Sequence, residues 1–122
     1  MHCFGLGDIF YFDIGFDDMP GESKKRPAII MIQEGDKFFI LVSTTTVPPH
    51  DPPKYFDQFK IPILNWRKSG LLRPSWGLGY KLIQVTRQEL MHQVKREDIL
   101  GVMPQADFDF LLSEIERIHK DL

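Results

Sequence analysis

The sequence predicts a mainly β fold with helices added: a small, strongly bent antiparallel sheet capped by a C-terminal amphipathic helix. Three observations carry this expectation. Aromatic and β-branched runs of strand length occupy the first half, at Asp8–Ile14, Pro27–Ile32 and Lys37–Ser43. Clusters of Gly, Pro, Asp and Ser separate those runs. From Pro104 onward the apolar residues switch to helical spacing. With 122 residues and no internal repeat, a single domain over 1–122 accommodates the chain.

In chain order, Asp8–Ile14 reads as a first strand, with Phe10, Phe12 and Ile14 on one pleat face. Gly15–Lys25 has loop composition. Pro27–Ile32 is nearly continuously apolar and predicts a buried strand. Glu34-Gly35-Asp36 supplies turn chemistry, so Lys37–Ser43 is expected to return as its hairpin partner. Thr44–Gln58 holds four prolines, which cannot donate to a ladder, and predicts a long exposed connection. Loops of such length in compact domains usually serve a function. Strand material is expected at Phe59–Leu64, Leu71–Arg73 and Leu78–Val85, with a turn at Asn65–Gly70. Thr86 and Glu89 have capping-box spacing and predict a short helix, and Ile99–Met103 predicts one more strand. Phe108, Leu111, Leu112, Ile115, Ile118 and Leu122 form the stripe of the terminal helix. Asp107 and Asp109 lie early in it and Arg117, His119 and Lys120 late, as the helix dipole favours.

Composition narrows the function classes. Hydrophobic residues make up 43% of the chain, with ten Phe, enough for a core without disulfides or metal. The lone cysteine, Cys3, allows no intrachain disulfide and suits a reducing compartment. No apolar run approaches the roughly 20 residues of a membrane span, and no basic-then-apolar segment opens the sequence. The expectation is therefore a cytoplasmic chain without a membrane partner. A formal net charge of −2 argues against a nucleic-acid packaging protein but is compatible with an RNA enzyme carrying a local basic cleft.

Three features suggest chemistry. Lys24-Lys25-Arg26-Pro27 is a tight basic cluster where a loop enters a buried strand. Pro27 biases Arg26 toward extended backbone, and a fixed guanidinium suits a phosphate. The competing reading is a solubilising cluster beside an aggregation-prone strand. Ser43-Thr44-Thr45-Thr46 ends the neighbouring strand, and antiparallel pairing is expected to bring Arg26 and Thr44 together at one edge of the sheet. A cation beside hydroxyls suits a phosphodiester site, although a Thr run alone is ordinary strand composition. Third, Arg67-Lys68 and the pre-proline Arg73 in Ser69–Ser75 are interleaved with Tyr55, Phe56, Trp66, Trp76 and Tyr80. Such rings either stack single-stranded bases or fill the core. His2, His50, His92 and His119 have no zinc-ligand spacing, so no metal and no cofactor are expected.

Gly7-Asp8-Ile9-Phe10, a loop, and then Lys25-Arg26-Pro27-Ala28-Ile29-Ile30 resemble the opening of MazF/PemK toxins. Val42-Ser43-Thr44-Thr45 is similar to the end of that family's second strand, and Ser69-Gly70-Leu71-Leu72-Arg73 to a later strand. The resemblance covers almost the whole chain. It implies an SH3-like barrel, a homodimer, a cognate antitoxin protein, and metal-independent sequence-selective cleavage of single-stranded RNA. The family's catalytic arginine falls on Arg26 and its threonine on Thr44, with Lys25, Ser43, Thr45, Arg73 and Ser75 as substrate contacts. Where some members have Arg-x-Asp, this chain has Arg73-Pro74-Ser75. Two other readings stay open: a poison of similar fold that binds a protein such as DNA gyrase, as CcdB-type proteins do, and an inactive RNA-binding relative.

Overall fold

Six antiparallel strands and two α-helices build a barrel-like sheet in the computed structural model of the chain, which describes residues 4–15, 23–35 and 37–121. The strands are β1 (Asp8–Gly15), β2 (Ser23–Glu34), β3 (Phe38–Thr45), β4 (Lys60–Pro62), β5 (Trp76–Thr86) and β6 (Ile99–Val102). The helices are α1 (Arg87–Gln93) and α2 (Gln105–Asp121). Spatial order is β4-β5-β3-β2-β1-β6. The long apolar runs thus occupy the middle of the sheet, where both faces are covered.

Strand alternation divides the core in two. Phe10, Phe12 and Ile14 share one face with Ala28, Ile30, Phe39 and Leu41, closed by Leu90 and Val94 at α1. Ile9, Ile29, Met31 and Val42 point to the other face, where Phe108, Leu111, Ile115 and Ile118 of α2 lie over them. Covering on both faces explains why β2 reads as a continuous hydrophobic run rather than an alternating one. The stripe expected on α2 is the one it buries; Leu122 lies outside the described residues.

The hairpin of β2 and β3 forms as expected, and so does the capped helix. Thr86 Oγ1 accepts the Glu89 N–H, and the Glu89 carboxylate accepts the Thr86 N–H. Several boundaries differ. β2 starts at Ser23, four residues before Pro27, because the aromatic strand β1 pairs with it from Gly15↔Ser23 through Ile9↔Ile29. Most of the expected loop Gly15–Lys25 lies outside the described residues. Leu71–Arg73 is not a strand, and β4 is only three residues long.

β5 turns the sheet sharply. Between the pairs Val42↔Leu82 and Thr44↔Gly77, β3 advances by two residues and β5 by five. The extra residues bend β5, so its first part lies between β3 and β4 while its second part pairs with β3 alone. The segment after β4 then crosses to the opposite edge. There Gly70, at φ +87°, packs directly on the Leu100 carbonyl of β6, a conformation and an approach that a side chain would obstruct. The two edges of the sheet are thereby brought close, which is what makes the sheet barrel-like.

Candidate functional site

Arg26 lies inside the β1–β2 ladder opposite Phe12, not at a strand start, and its side chain is half-buried. β2 and β3 are interior strands, so Arg26 and the threonines meet at the end of an internal ladder rather than at an edge of the sheet. The β2–β3 register ends at Ala28↔Ser43; two residues further along each strand, Arg26 keeps the face of Ala28 and Thr45 the face of Ser43. Opposed residues share a face and successive ones alternate. Thr45, rather than Thr44, therefore shares the face of Arg26.

The hydroxyls agree with that geometry. Thr44 is buried, and its Oγ1 donates to the Pro27 carbonyl at 3.0 Å. Thr45 is buried as well, at 9% exposure the least so of these hydroxyls, and its Oγ1 accepts the Val47 N–H at 3.1 Å, which leaves its own proton to donate. Thr45 also pairs with Trp76 on β5, which in turn pairs with Pro62 on β4. Thr45, Trp76 and Pro62 thus form a row across three strands, on the same face of the sheet as Arg26. The cation, the hydroxyl and the half-buried indole come from three separate stretches of sequence, and only strand pairing unites them.

The other expected contacts divide. Ser43 is buried beside Ala28 and does not reach solvent. Ser75 is buried too, and its Oγ donates to the Arg73 carbonyl at 2.9 Å. Arg73, three residues before Trp76 in the chain, is exposed. Lys25 is directed away from the site: its Nζ lies 3.3 Å from Asp98, just before β6. The Lys95 N–H also donates to Asp98. That bond, aided by the Lys25 ammonium, holds the Asp98 carboxyl below the usual carboxylate range against the opposing effect of burial.

The long connection after β3 has an organiser that the sequence reading passed over. Asp57 is buried in a 3-10 turn, Tyr55–Phe59. Its carboxylate accepts from the His50 N–H, the His50 ring and the Lys54 N–H at 2.8–2.9 Å, and lies 3.1 Å from Lys60 Nζ. Burial alone works to raise this carboxyl's pKa. The bonds from Lys54 and His50 and the Lys60 ammonium outweigh it and hold the group far below the ordinary range. Lys60 also donates to the Val47 carbonyl. The proline-rich segment is therefore tied down on both sides of its cis Asp51–Pro52 bond. The only available signal was an acid three residues after Lys54, at capping spacing. The organised segment presents Tyr55 and Phe56 to solvent, packed on Phe59 and Tyr80 with ring centroids 4.9–6.3 Å apart.

Among the described residues no group of three or more His, Cys, Asp or Glu side chains is placed to hold a metal ion. Among them, too, no helix is long and apolar enough to cross a membrane. His119 reaches back to β5, where its Nε2 lies 2.8 Å from the Gly79 carbonyl oxygen, so it serves packing rather than the site. No family model matches the chain, and no curated protein matches it.

Proposed function

We propose that this chain is an endoribonuclease that cleaves single-stranded RNA without a metal, acting as the toxin of a toxin–antitoxin pair in the cytoplasm. The observation that carries the reading is that Arg26 and Thr45 fall on one face of the sheet, beyond the last β2–β3 pair, with Trp76 paired to Thr45. A guanidinium, a hydroxyl donor and a flat ring are what a phosphodiester and its neighbouring base require. The resemblance to MazF/PemK toxins supports the same assignment, and with it a homodimer and an antitoxin partner.

In the proposed reaction the 2′-oxygen attacks the adjacent phosphorus. The bond from phosphorus to the 2′-oxygen forms and the bond to the 5′-oxygen breaks, leaving a 2′,3′-cyclic phosphate and a 5′-hydroxyl. The 2′-proton passes to water, and the departing 5′-oxygen takes one up. Arg26 stabilises the crowded phosphorane dianion, whose charge exceeds that of the starting diester. Thr45 donates to a non-bridging oxygen, and Arg73 adds a second positive contact. Thr44 holds the backbone of Pro27, and so the strand that carries Arg26, through its buried bond. Acceleration then comes from positioning and fixed electrostatics.

The test is incubation of purified protein with mixed-sequence single-stranded RNA in EDTA, beside Arg26→Ala. Discrete fragments ending in cyclic phosphate, absent with the variant, are expected. Intact RNA with a folded wild-type protein would discard the enzyme reading and favour a protein-binding poison or an inactive RNA-binding relative.

A further inference from the structure

The segment between β4 and β5 forms a basic, aromatic loop of which the proposed reaction uses only Arg73. The Ile63 N–H donates to the Ser75 carbonyl at 3.0 Å and closes residues 64–74 into a loop whose ends touch. Inside it the Ser69 and Leu71 N–H groups donate to the Trp66 carbonyl, and the Gly70 N–H donates to that of Arg67. The loop is anchored to α2 by Asp107, whose two carboxylate oxygens accept the N–H and the side-chain amide of Asn65 at 2.9 and 3.2 Å. Gly70 fixes the other side against β6.

This frame carries three cations, Arg67, Lys68 and Arg73, all exposed, and no acidic residue between Leu64 and Arg73. The nearby acid that anchors it, Asp107, has both oxygens engaged by Asn65. The Arg67 guanidinium lies over the Trp66 indole, 4.8 Å from the ring centroid. The indole in turn rests on the α2-side core. Leu64, Asn65, Trp66, Arg67 and Lys68 line an open cavity of about 430 Å³. That lies in the range that takes small ligands, roughly 300–1,000 Å³. A cavity bearing a backed guanidinium–indole stack and surplus positive charge matches a ligand that is flat at one end and anionic at the other.

We propose that the 64–73 loop is a nucleotide-binding subsite, which takes one base of the single-stranded RNA against the Trp66–Arg67 stack and its flanking phosphates on Lys68 and Arg73. The inference rests on the ribonuclease reading above and extends it away from the scissile phosphate. Along the chain Arg73 and Ser75 link the loop to Trp76, which pairs with Thr45; the loop itself packs on the α2-side core through Trp66 and Leu71. Because the loop is held by its own hydrogen bonds, it needs little ordering on binding.

The experiment is equilibrium binding of a nine-residue 2′-O-methyl RNA, which lacks the attacking hydroxyl, to wild type, Trp66→Leu and the double variant Arg67→Gln/Lys68→Gln. Loss of the ring that backs the Arg67 guanidinium is expected to weaken binding by about 10-fold or more in Trp66→Leu. The double variant, whose side chains are exposed and leave the core untouched, is expected to bind more weakly as well. Its slope of log affinity against log salt should fall by roughly 0.7, the share of the one single-strand phosphate contact assigned to Lys68. Unchanged affinity and slope in both variants would overturn the subsite, while cleavage in EDTA that depends on Arg26 would leave the ribonuclease reading in place. Binding of poly-glutamate, but not of RNA, to the wild-type protein would overturn both and assign the loop to an acidic protein partner.

Discussion

Replacing Gly70 by Ala tests whether the contact between the 64–74 loop and β6 sets the curl of the sheet. At φ +87° an L-residue costs roughly 1–2 kcal/mol. A Cβ there would also lie 2.7 Å from the Leu100 carbonyl carbon and overlap its oxygen, so either β6 or the loop has to retreat. β6 is held to β1 by three registered pairs, Asp8↔Val102, Ile9↔Gly101 and Phe10↔Ile99. Weakening one or two of those hydrogen bonds adds about 1–2 kcal/mol, for a total of roughly 2–4 kcal/mol. At about 4 °C per kcal/mol for a chain of this size, Tm falls by roughly 8–16 °C. Gly35→Ala is the control. Its φ is +54°, and a Cβ there meets nothing within 4 Å, so it bears the conformational cost alone. Its expected shift is about 4–8 °C. The assay is thermal unfolding followed by circular dichroism for both variants under identical conditions. Equal shifts would refute the claim that the loop–strand contact adds stability beyond the cost of a left-handed residue.

Three further outcomes follow from the same geometry. Thr45→Val removes the hydroxyl on Arg26's face and is expected to cut RNA cleavage by about 10- to 1,000-fold with only a small drop in melting temperature, from the lost Val47 N–H bond; Thr44→Val, which loses its bond to the Pro27 carbonyl, is expected to lower stability more than Thr45→Val does. Equal loss of activity with equal loss of stability in the two would contradict the face assignment. Thr86→Ala removes the α1 cap and should cost about 1 kcal/mol in urea unfolding, and a neutral result would mean the capping box contributes nothing. Asp57 and Asp98 have carboxyls depressed by hydrogen bonds and nearby ammonium groups. Their stabilisation is therefore complete above the unfolded carboxylate pKa of about 4 and declines as pH falls through the folded values. Asp57→Asn should make the urea midpoint less sensitive to pH between 5 and 2 and speed amide exchange in residues 47–58; an unaltered acid slope would remove Asp57 as the loop's organiser.

Local pattern determined much of this protein. The aromatic alternation of β1, the apolar runs of β2 and β3, the capping box at Thr86 and the stripe of α2 are each written in neighbouring residues. Their periods and caps are short-range properties, so those elements could be read in order. The pairing of β2 with β3 was legible as well, because a turn signal joins two apolar runs. Legibility stopped where the answer depended on distant residues. The start of β2 at Ser23 reflects pairing with β1, and β4 consists of three residues held by β5, with little signal of their own. The face shared by Arg26 and Thr45 depends on register counted across two strands, where a shift of one residue exchanges Thr44 for Thr45. Asp57 looked like one more polar residue in a proline-rich segment until folding brought His50, Lys54 and Lys60 around it. Sequence therefore determined the long strands and both helices and supplied the candidate cations and hydroxyls, but not the strand at Leu71–Arg73, which does not form. Tertiary structure decided which of them share a face, because strand pairing and burial join groups that are far apart along the chain.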